Sequence, residues 1–567
     1  MRSEFAITSL LVRRRYVYAD GRRIHYRSAG SGPPLIMIHA SPGSGYTLEP
    51  LMKQLSANRT VIAIDTPGYG ESEALGVEVP EIADYSAATR EALDVLGLSR
   101  VDLYGTHTGA RIAIEFAATN PSRVRRLVID GVGFYEDDER DLLLANYTPD
   151  LSPVWDGTHL VRAWAMRRDM DIFWPWFARD PLHRFVSDVP GADLLHEHFV
   201  DFLRAIPGYE LGYRAAFRYD VVEGIKRLDV DTLLTASPLD PLHSYLARQR
   251  DLGPRIHFDE LSDTSRSVVF SASSFLAEGQ QLAAASLLPS YEPVVGELRR
   301  RFVEHDSGVL HLWWSGGVGP PLVMFHASPA SGRNLLPLAE ALSRDRPVIV
   351  FDTPGNGDSS ALPGAPTIEG IAAVFVAALD ALGVGQFDLY GSHTGAHIAV
   401  EVALAANERI GSLVLDGLLL IQDDEKREML AAYAPALSPT SDGGHLLWAW
   451  NFVRDQALFY PWYQRRKQNI RLGRSIPDEH AIHSNVVEML KGSWTYHLQY
   501  EAVFQHRVED RLKFLRIPVL IGTSAQDPLA DMVEVASSQI PNMEMIEFAS
   551  KPEDLADQLA DFYVGEN

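Results

Sequence analysis

Cysteine is missing from this sequence, and its absence removes one class of chemistry. None of the 567 residues carries a thiol, so disulfide bonds and thiolate metal sites are both excluded. Long apolar runs are also missing, since no segment approaches the roughly 20 apolar residues that a membrane-spanning helix requires. We therefore expect no membrane partner, and a cytoplasmic location is the default expectation.

Positive charge is scarce as well. The chain has 51 Lys and Arg residues against 75 Asp and Glu residues, which gives a net charge of −24. Binding to a phosphate backbone needs a basic face that releases counterions, so nucleic acid is not an expected partner. The remaining composition, 46% hydrophobic and 22% charged, is typical of globular proteins.

Several short motifs occur twice, roughly 286 residues apart. They are Arg13-Arg-Arg-Tyr-Val and Arg299-Arg-Arg-Phe-Val, His39-Ala-Ser-Pro and His326-Ala-Ser-Pro, Asp65-Thr-Pro-Gly and Asp352-Thr-Pro-Gly, and Asp240-Pro-Leu and Asp527-Pro-Leu. Repetition of whole motif sets in one order indicates a tandem duplication. We predict two domains, residues 1–290 and 299–567, with a junction near 280–298, packed as an intrachain pseudo-dimer with separate pockets.

Short apolar segments alternate with helical patterns in each copy. The strand candidates of the first copy are Pro34–His39, Thr60–Asp65, Arg100–Tyr104, Arg126–Asp130, Thr232–Ala236 and Arg255–Glu260, and its helical stretches include Ser86–Leu96 and Ala110–Ala118. This alternation predicts an α/β fold with a mostly parallel sheet flanked by helices. Its functional site is expected at the carboxyl ends of the strands.

A histidine occupies the centre of a glycine-flanked motif in each copy. Leu103-Tyr-Gly-Thr-His107-Thr-Gly109-Ala is matched by Leu389-Tyr-Gly-Ser-His393-Thr-Gly395-Ala. Each follows an apolar strand candidate and begins a helical pattern, which is typical of the G-x-Nu-x-G nucleophile elbow. The two segments therefore predict sharp strand-to-helix turns that present a histidine at the tip.

With these motifs in this order, both copies resemble the α/β-hydrolase fold superfamily. The resemblance implies a helical cap, expected at about 136–219 and 423–504. It also implies an oxyanion hole formed by backbone N–H groups. The residues that would supply it are Ala40, Ser41 and Thr108 in the first copy and Ala327, Ser328 and Thr394 in the second.

Two members of the usual triad are missing from this pattern. The superfamily places Ser, Cys or Asp at the elbow tip and a histidine in the loop after the eighth strand. Here the tip is histidine, and the loops at Leu261–Arg266 and Ala549–Glu553 contain none. The acid position is retained as Asp240 and Asp527. Acyl-serine chemistry at this site is therefore hard to support.

An imidazole is longer than a hydroxymethyl group, so an elbow histidine could reach the retained acid. We therefore hypothesise the catalytic pairs His107–Asp240 and His393–Asp527, with the carboxylate fixing the tautomer. Such a histidine could act as a general base or attack a carbonyl directly. A relic site in a non-catalytic protein is the alternative, because fold alone does not prove activity.

The cap contains a second repeated cluster, which we expect to contribute to substrate binding. Its members are His159, Trp164, Arg168 and Trp176 in the first copy, and His445, Trp450, Arg454 and Trp462 in the second. On a helix, Trp164 and Arg168 share a face with His159 close to it. The alternatives are a capped helix start for the histidines and cap-to-core packing for the aromatic residues.

These observations together predict a hydrolase with a His–Asp mechanism that needs no cofactor. The expected substrate is a small apolar or aromatic carbonyl compound such as an ester, a lactone or an activated ketone. The alternatives are a cofactor-free lyase that uses the same base and a non-catalytic pseudoenzyme. Two histidines and one carboxylate, here His39, His107 and Asp240, are a set that can hold a divalent ion. No local metal-binding signature is present, however, and we predict no metal site.

Overall fold

The computed structural model describes residues 11–206, 208–248, 252–261, 267–286, 293–306, 308–472 and 475–564. These residues form two compact units, one comprising Met1–Ser152 and His159–Ser290, the other Pro153–Thr158 and Tyr291–Asn567. Parts of the predicted domain ends, of the junction at 280–298 and of the 261–266 loop lie outside the described residues. No helix in the described ranges is both long and apolar enough to cross a bilayer.

The first unit contains eight strands and nine α-helices in its described residues. The strands are β1 (Arg13–Ala19), β2 (Arg22–Ala29), β3 (Pro34–Ile38), β4 (Thr60–Ile64), β5 (Val101–Thr106), β6 (Val124–Asp130), β7 (Asp231–Ala236) and β8 (Ile256–Glu260). The helices are α1 (Glu49–Leu55), α2 (Ile82–Val95), α3 (Thr108–Thr119), α4 (Asp137–Asn146), α5 (Thr158–Asp169), α6 (Ala192–Leu203), α7 (Tyr209–Arg218), α8 (Val221–Lys226) and α9 (Val268–Ala277).

The described residues of the second unit repeat this order, with one additional α-helix between the last two strands. Its strands are β9 (Arg299–His305), β10 (Gly308–Trp314), β11 (Leu322–Phe325), β12 (Val348–Phe351), β13 (Phe387–Ser392), β14 (Ile410–Asp416), β15 (Val519–Thr523) and β16 (Met543–Glu547). Its helices are α10 (Leu336–Leu342), α11 (Ile368–Ala381), α12 (Thr394–Ala405), α13 (Asp423–Ala432), α14 (Gly444–Leu458), α15 (Glu479–Lys491), α16 (Tyr496–Gln505), α17 (Glu509–Leu512), α18 (Ala530–Ser537) and α19 (Pro552–Val564).

Both sheets have the same strand order, which is β1-β2-β4-β3-β5-β6-β7-β8 in the first unit and its equivalent in the second. β2 pairs antiparallel with β1 and β4, and the other pairs in the first sheet are parallel. The predicted fold class, two tandem α/β-hydrolase-like sheets, is confirmed. The chain reverses its direction of winding between β3 and β5, and ligands of open α/β sheets bind at such a switch point.

Alternate residues of the central strands face opposite sides of the first sheet. Ile36 and Ile38 belong to the core cluster that includes residues of α2 and α3. Leu35 and Met37 belong to a second cluster with residues of α1 and α9. All four side chains are fully buried. Burial on both faces explains why β3 is a continuous apolar run in the sequence.

The cap segments lie between the sixth and seventh strands of each sheet. α4, α5, α6 and α7 occupy this position in the first unit, and α13, α14, α15 and α16 occupy it in the second. In the first unit Asp201 of α6 accepts hydrogen bonds from Ser44 N (2.7 Å) and Ser44 Oγ (2.6 Å). Because both residues are buried, these bonds fix α6 against the loop that follows β3.

Candidate active site

His107 lies at the tip of the turn between β5 and α3. Its φ of 51° and ψ of −110° are an unfavourable backbone conformation for a residue with a Cβ. A Cβ on Gly105 would lie 2.4 Å from Gly109 O, and a Cβ on Gly109 would lie 2.2 Å from Ile38 O. Both glycines are therefore required by the close backbone packing, and the turn projects His107 from the carboxyl edge of the sheet.

The second unit repeats this turn closely. His393 has φ 51° and ψ −109° at the start of α12. A Cβ on Gly391 would lie 2.3 Å from Gly395 O, and one on Gly395 would lie 2.1 Å from Phe325 O. Each unit therefore has a turn with the geometry of a nucleophile elbow and with histidine at its tip.

Each elbow histidine contacts the acidic residue that follows the seventh strand of its sheet. His107 Nε2 lies 2.7 Å from Asp240 Oδ2, and His393 Nε2 lies 3.1 Å from Asp527 Oδ2. The other oxygen of each carboxylate accepts a backbone N–H, from Leu242 at 2.6 Å and from the equivalent leucine of the second unit at 2.9 Å. These bonds hold the carboxylates in orientation toward the rings.

In the first unit, His107 and Asp240 each stabilise the charged form of the other. Burial acts to lower the pKa of His107, but the charge and hydrogen bond of Asp240 outweigh it and raise that pKa above its usual value. Burial likewise acts to raise the pKa of Asp240, but the His107 ring and the Leu242 N–H lower it overall. The pair thus favours an ionised carboxylate beside a basic imidazole.

A second carboxyl group lies near each pair and was not predicted from the sequence. Tyr104 Oη donates to Asp130 Oδ2, and Tyr390 Oη donates to Asp416 Oδ2 at 2.6 Å. Burial is the largest influence on Asp130 and raises its pKa to about 6, with Asp240 adding to the increase. The available signal was the repeated Asp-Gly pair, whose aspartate ends β6 in the first copy and β14 in the second.

The predicted oxyanion residues lie around the elbows. Ala40 and Ser41 follow β3, whose pairing with β5 aligns Ile38 with Gly105. His39 anchors this loop, because its Nδ1 contacts Ala40 O (3.0 Å) and its Nε2 accepts the Thr66 N–H (2.9 Å). Both ring nitrogens are therefore used by the backbone, which leaves no lone pair on His39 for a metal ion.

In the second unit the residues predicted to form the oxyanion hole line a cavity of about 200 Å³. Its walls also contain the elbow histidine, its acid and a group of polar and aromatic side chains. The lining residues are Ala327, Ser328, His393, Thr394, Leu419, Met429, Tyr433, Gln456, Tyr460, Arg471, Tyr500, Val503, Phe504, Asp527, Pro528 and Leu529. Ser328 N donates to Thr394 Oγ1 at 3.3 Å, a long bond that a stronger acceptor could replace.

The four cap residues predicted in the second unit are not among the residues that line this cavity. His445 is buried and its Nδ1 accepts the Thr440 N–H at 3.1 Å, which matches the helix-start alternative. Trp450 is fully buried. Arg454 Nη2 donates to Asp455 Oδ1 at 3.0 Å, and Trp462 Nε1 donates to a backbone carbonyl.

Their counterparts in the first unit have similar surroundings. His159 and Trp164 are buried, and the Trp164 ring packs edge-on against Phe199 with centroids 5.2 Å apart. Trp176 Nε1 donates to Tyr147 O at 3.0 Å, while Arg168 is half-buried. These contacts are those of cap packing.

Comparison with known proteins is consistent with this architecture. The family model described as alpha/beta hydrolase fold matches residues 33–225 and again 320–553. The chain belongs to the α/β-hydrolase fold family. The two matches also confirm the predicted duplication, since each lies within one of the repeated regions and covers its central strands and its cap.

Named relatives match parts of the chain. An (E)-2-((N-methylformamido)methylene)succinate hydrolase from Acinetobacter baylyi is 24% identical over 235 residues, which are 39% of this chain and 78% of that protein. A 2-hydroxy-6-oxononadienedioate/2-hydroxy-6-oxononatrienedioate hydrolase 2 from Pseudomonas putida is 37% identical over 119 residues, 20% of this chain. The chain spans only 41% of the length of that second relative.

Two similar solved structures each match about half of the chain. A hydrolase from Pseudomonas aeruginosa PA01 is 20% identical and covers 47% of this chain and 96% of its own, with a TM-score of 0.35. The enol-lactonase from Burkholderia xenovorans LB400 is 19% identical and covers 46% and 99%, with a TM-score of 0.36.

Proposed function

We propose that this protein is a hydrolase of small carbonyl compounds in which an elbow histidine takes the place of the usual nucleophile. The substrate class is an apolar or aromatic ester, lactone or activated ketone. The observation that carries the proposal is the contact of each histidine with its acid, at 2.7 Å in the first unit and 3.1 Å in the second. Family membership supports hydrolase chemistry in general.

The pairs suit general-base catalysis. When the Nε2–H group donates a hydrogen bond to the ionised carboxylate, Nδ1 carries the lone pair and is the basic nitrogen. It can remove a proton from a water molecule, which then attacks the substrate carbonyl. The negative charge that develops on the carbonyl oxygen would be stabilised by N–H groups of Thr108 with Ala40 or Ser41, and by their counterparts in the second unit.

The test is single substitution at each tip, measured on an ester or lactone panel. His107→Ala and His393→Ala should each reduce the turnover of their own unit about 10²–10⁴-fold, which is the usual effect of removing a positioned general base. Replacement by Ser should not restore activity, because no second imidazole is predicted beside the hydroxyl. The double variant His107→Ala/His393→Ala is the reference for background hydrolysis.

Two outcomes would contradict the proposal. One is turnover that survives the double alanine variant, and the other is product that contains no oxygen from labelled water. The second outcome would instead indicate lyase chemistry by the same base, since only hydrolysis incorporates solvent oxygen.

A further inference from the structure

The cavity of the second unit contains a cation in its wall. Arg471 is half-buried and lines the cavity that also holds His393. Its backbone is fixed by a short antiparallel contact, in which Tyr460 N donates to Asn469 O and Arg471 N donates to Leu458 O, both at 2.9 Å. Its guanidinium is oriented by Nη1, which donates to Gln456 O at 2.9 Å. This arginine is therefore positioned by the fold of the cap.

The first unit has the same backbone contact with different side chains. Trp174 N donates to His183 O at 2.9 Å, and Phe185 N donates to Ile172 O at 2.8 Å. The bridge between Phe173 and Arg184 matches the bridge between Phe459 and Ile470. This register places Phe185 where the second unit has Arg471.

Two neighbouring positions also differ between the two units. The aligned motifs place Met170 opposite Gln456 and Trp174 opposite Tyr460. Of these three cavity-lining positions in the second unit, Arg471 is cationic and Gln456 is polar, whereas the first unit has Phe and Met at the equivalent positions. A guanidinium in a confined cavity favours an anion, above all a planar carboxylate that accepts two hydrogen bonds.

The charge of Arg471 acts on the pair that it faces. Burial acts to raise the pKa of Asp527, but the hydrogen bond and charge of His393, the Leu529 N–H and the charge of Arg471 lower it overall. The guanidinium and the His–Asp pair therefore interact electrostatically within the same cavity.

We infer that the second unit binds carbonyl compounds that carry a carboxylate. Arg471 holds this group, and the main-chain carbonyl of Gln456 supports the guanidinium. The first unit has Phe185 at the equivalent position and therefore lacks this cation there. This inference rests on the proposed function for the identity of the reacting site, but it concerns recognition and can be measured without turnover.

The experiment compares two ligands of equal shape by calorimetric titration of the full chain. Benzoate carries the carboxylate, and benzamide replaces it with a neutral group. The wild-type protein should bind benzoate about 10- to 100-fold more tightly, the range of charge-assisted hydrogen bonds. Arg471→Met should remove this preference and leave benzamide affinity nearly unchanged.

A matched control uses a second arginine of the same segment. Arg465 is exposed, pairs with Asp455 Oδ2 at 2.6 Å and lies outside the cavity lining, so Arg465→Met should keep the benzoate preference. Arg471→Lys keeps the charge but loses the planar fork, so it should keep a weaker preference. The lysine variant decides the matter if the methionine variant does not fold.

The result that would overturn the inference is equal affinity for both ligands, or a benzoate preference that survives Arg471→Met. The outcome is separable from that of the proposed function. His393→Ala should lose turnover and retain the benzoate preference. A protein with the preference but without turnover would contradict the proposed function alone.

Discussion

Replacing Gly131 by alanine should separate the His107–Asp240 pair. A Cβ at this position would lie 2.8 Å from Asp240 Oδ2 and 2.9 Å from His107 Nε2. The backbone cannot retreat easily, because Gly131 N donates to Thr235 O at 2.9 Å and Gly131 O accepts from His107 N at 3.0 Å. The side chains of the pair must move instead.

The expected loss in the free energy of unfolding has two contributions. The φ of +69° at Gly131 costs an alanine about 1–2 kcal/mol, and displacement of two packed side chains adds about 1–3 kcal/mol. Gly21→Ala isolates the first part, because Gly21 has φ +72° and nothing within 4 Å of the added Cβ. Gly417→Ala should fall between the two, since its Cβ would meet His393 Nε2 at 3.2 Å.

The assay is urea unfolding of the three variants, combined with NMR of the downfield imidazole N–H. Gly131→Ala should lower the free energy of unfolding of its unit by about 2–5 kcal/mol. It should also shift or remove the His107 N–H signal, whereas Gly21→Ala should leave that signal unchanged. Equal losses for Gly131→Ala and Gly21→Ala, with the signal intact, would refute the packing argument.

Three further predictions concern buried charge and reactivity. Asp102 is fully buried and accepts hydrogen bonds from Arg59 and Arg125. Asp102→Asn should therefore lower the free energy of unfolding in urea by about 3–5 kcal/mol. The loss should be smaller for Asp388→Asn, because that carboxylate is partly exposed. Asp130 has a pKa of about 6 in the folded protein and about 4 in the unfolded chain. Because the unfolded chain ionises first, the free energy of unfolding should fall by up to about 3 kcal/mol from pH 4 to pH 6. Asp130→Asn should remove this fall. Fluorophosphonates should label no serine near His107 or His393, as measured by mass spectrometry. Stoichiometric labelling of a serine at either elbow would contradict the assignment of histidine as the reacting group.

The central strands were largely predictable because burial on both faces of the sheet produces continuous apolar runs in the sequence. The candidate Pro34–His39 corresponds to β3 at Pro34–Ile38, and Thr232–Ala236 lies within β7. The β1–β2 hairpin was not predicted as strands, although Asp20-Gly21 forms its turn with positive φ at both residues. Its strands are rich in arginine, so they lack the apolar runs that mark the central strands.

The site was only partly predictable, for a different reason. The elbow and acid motifs were visible because local backbone geometry demands glycine and a strand-end carboxylate. The cavity walls instead depend on how cap segments with irregular structure fold back over the sheet. Arg471 is supplied by such a segment, and neither its spacing from His393 nor its local sequence indicates a shared cavity.

The elbow turns are held by their backbones and flanking glycines, and this has a practical consequence for protein engineering. The tip side chain makes no contribution to the close approach between Gly105, Gly109 and Ile38. Libraries that vary position 107 or 393 should therefore yield mostly folded proteins, whereas libraries at the flanking glycines should not. The chain thus offers two equivalent positions at which different reactive side chains could be compared in one protein.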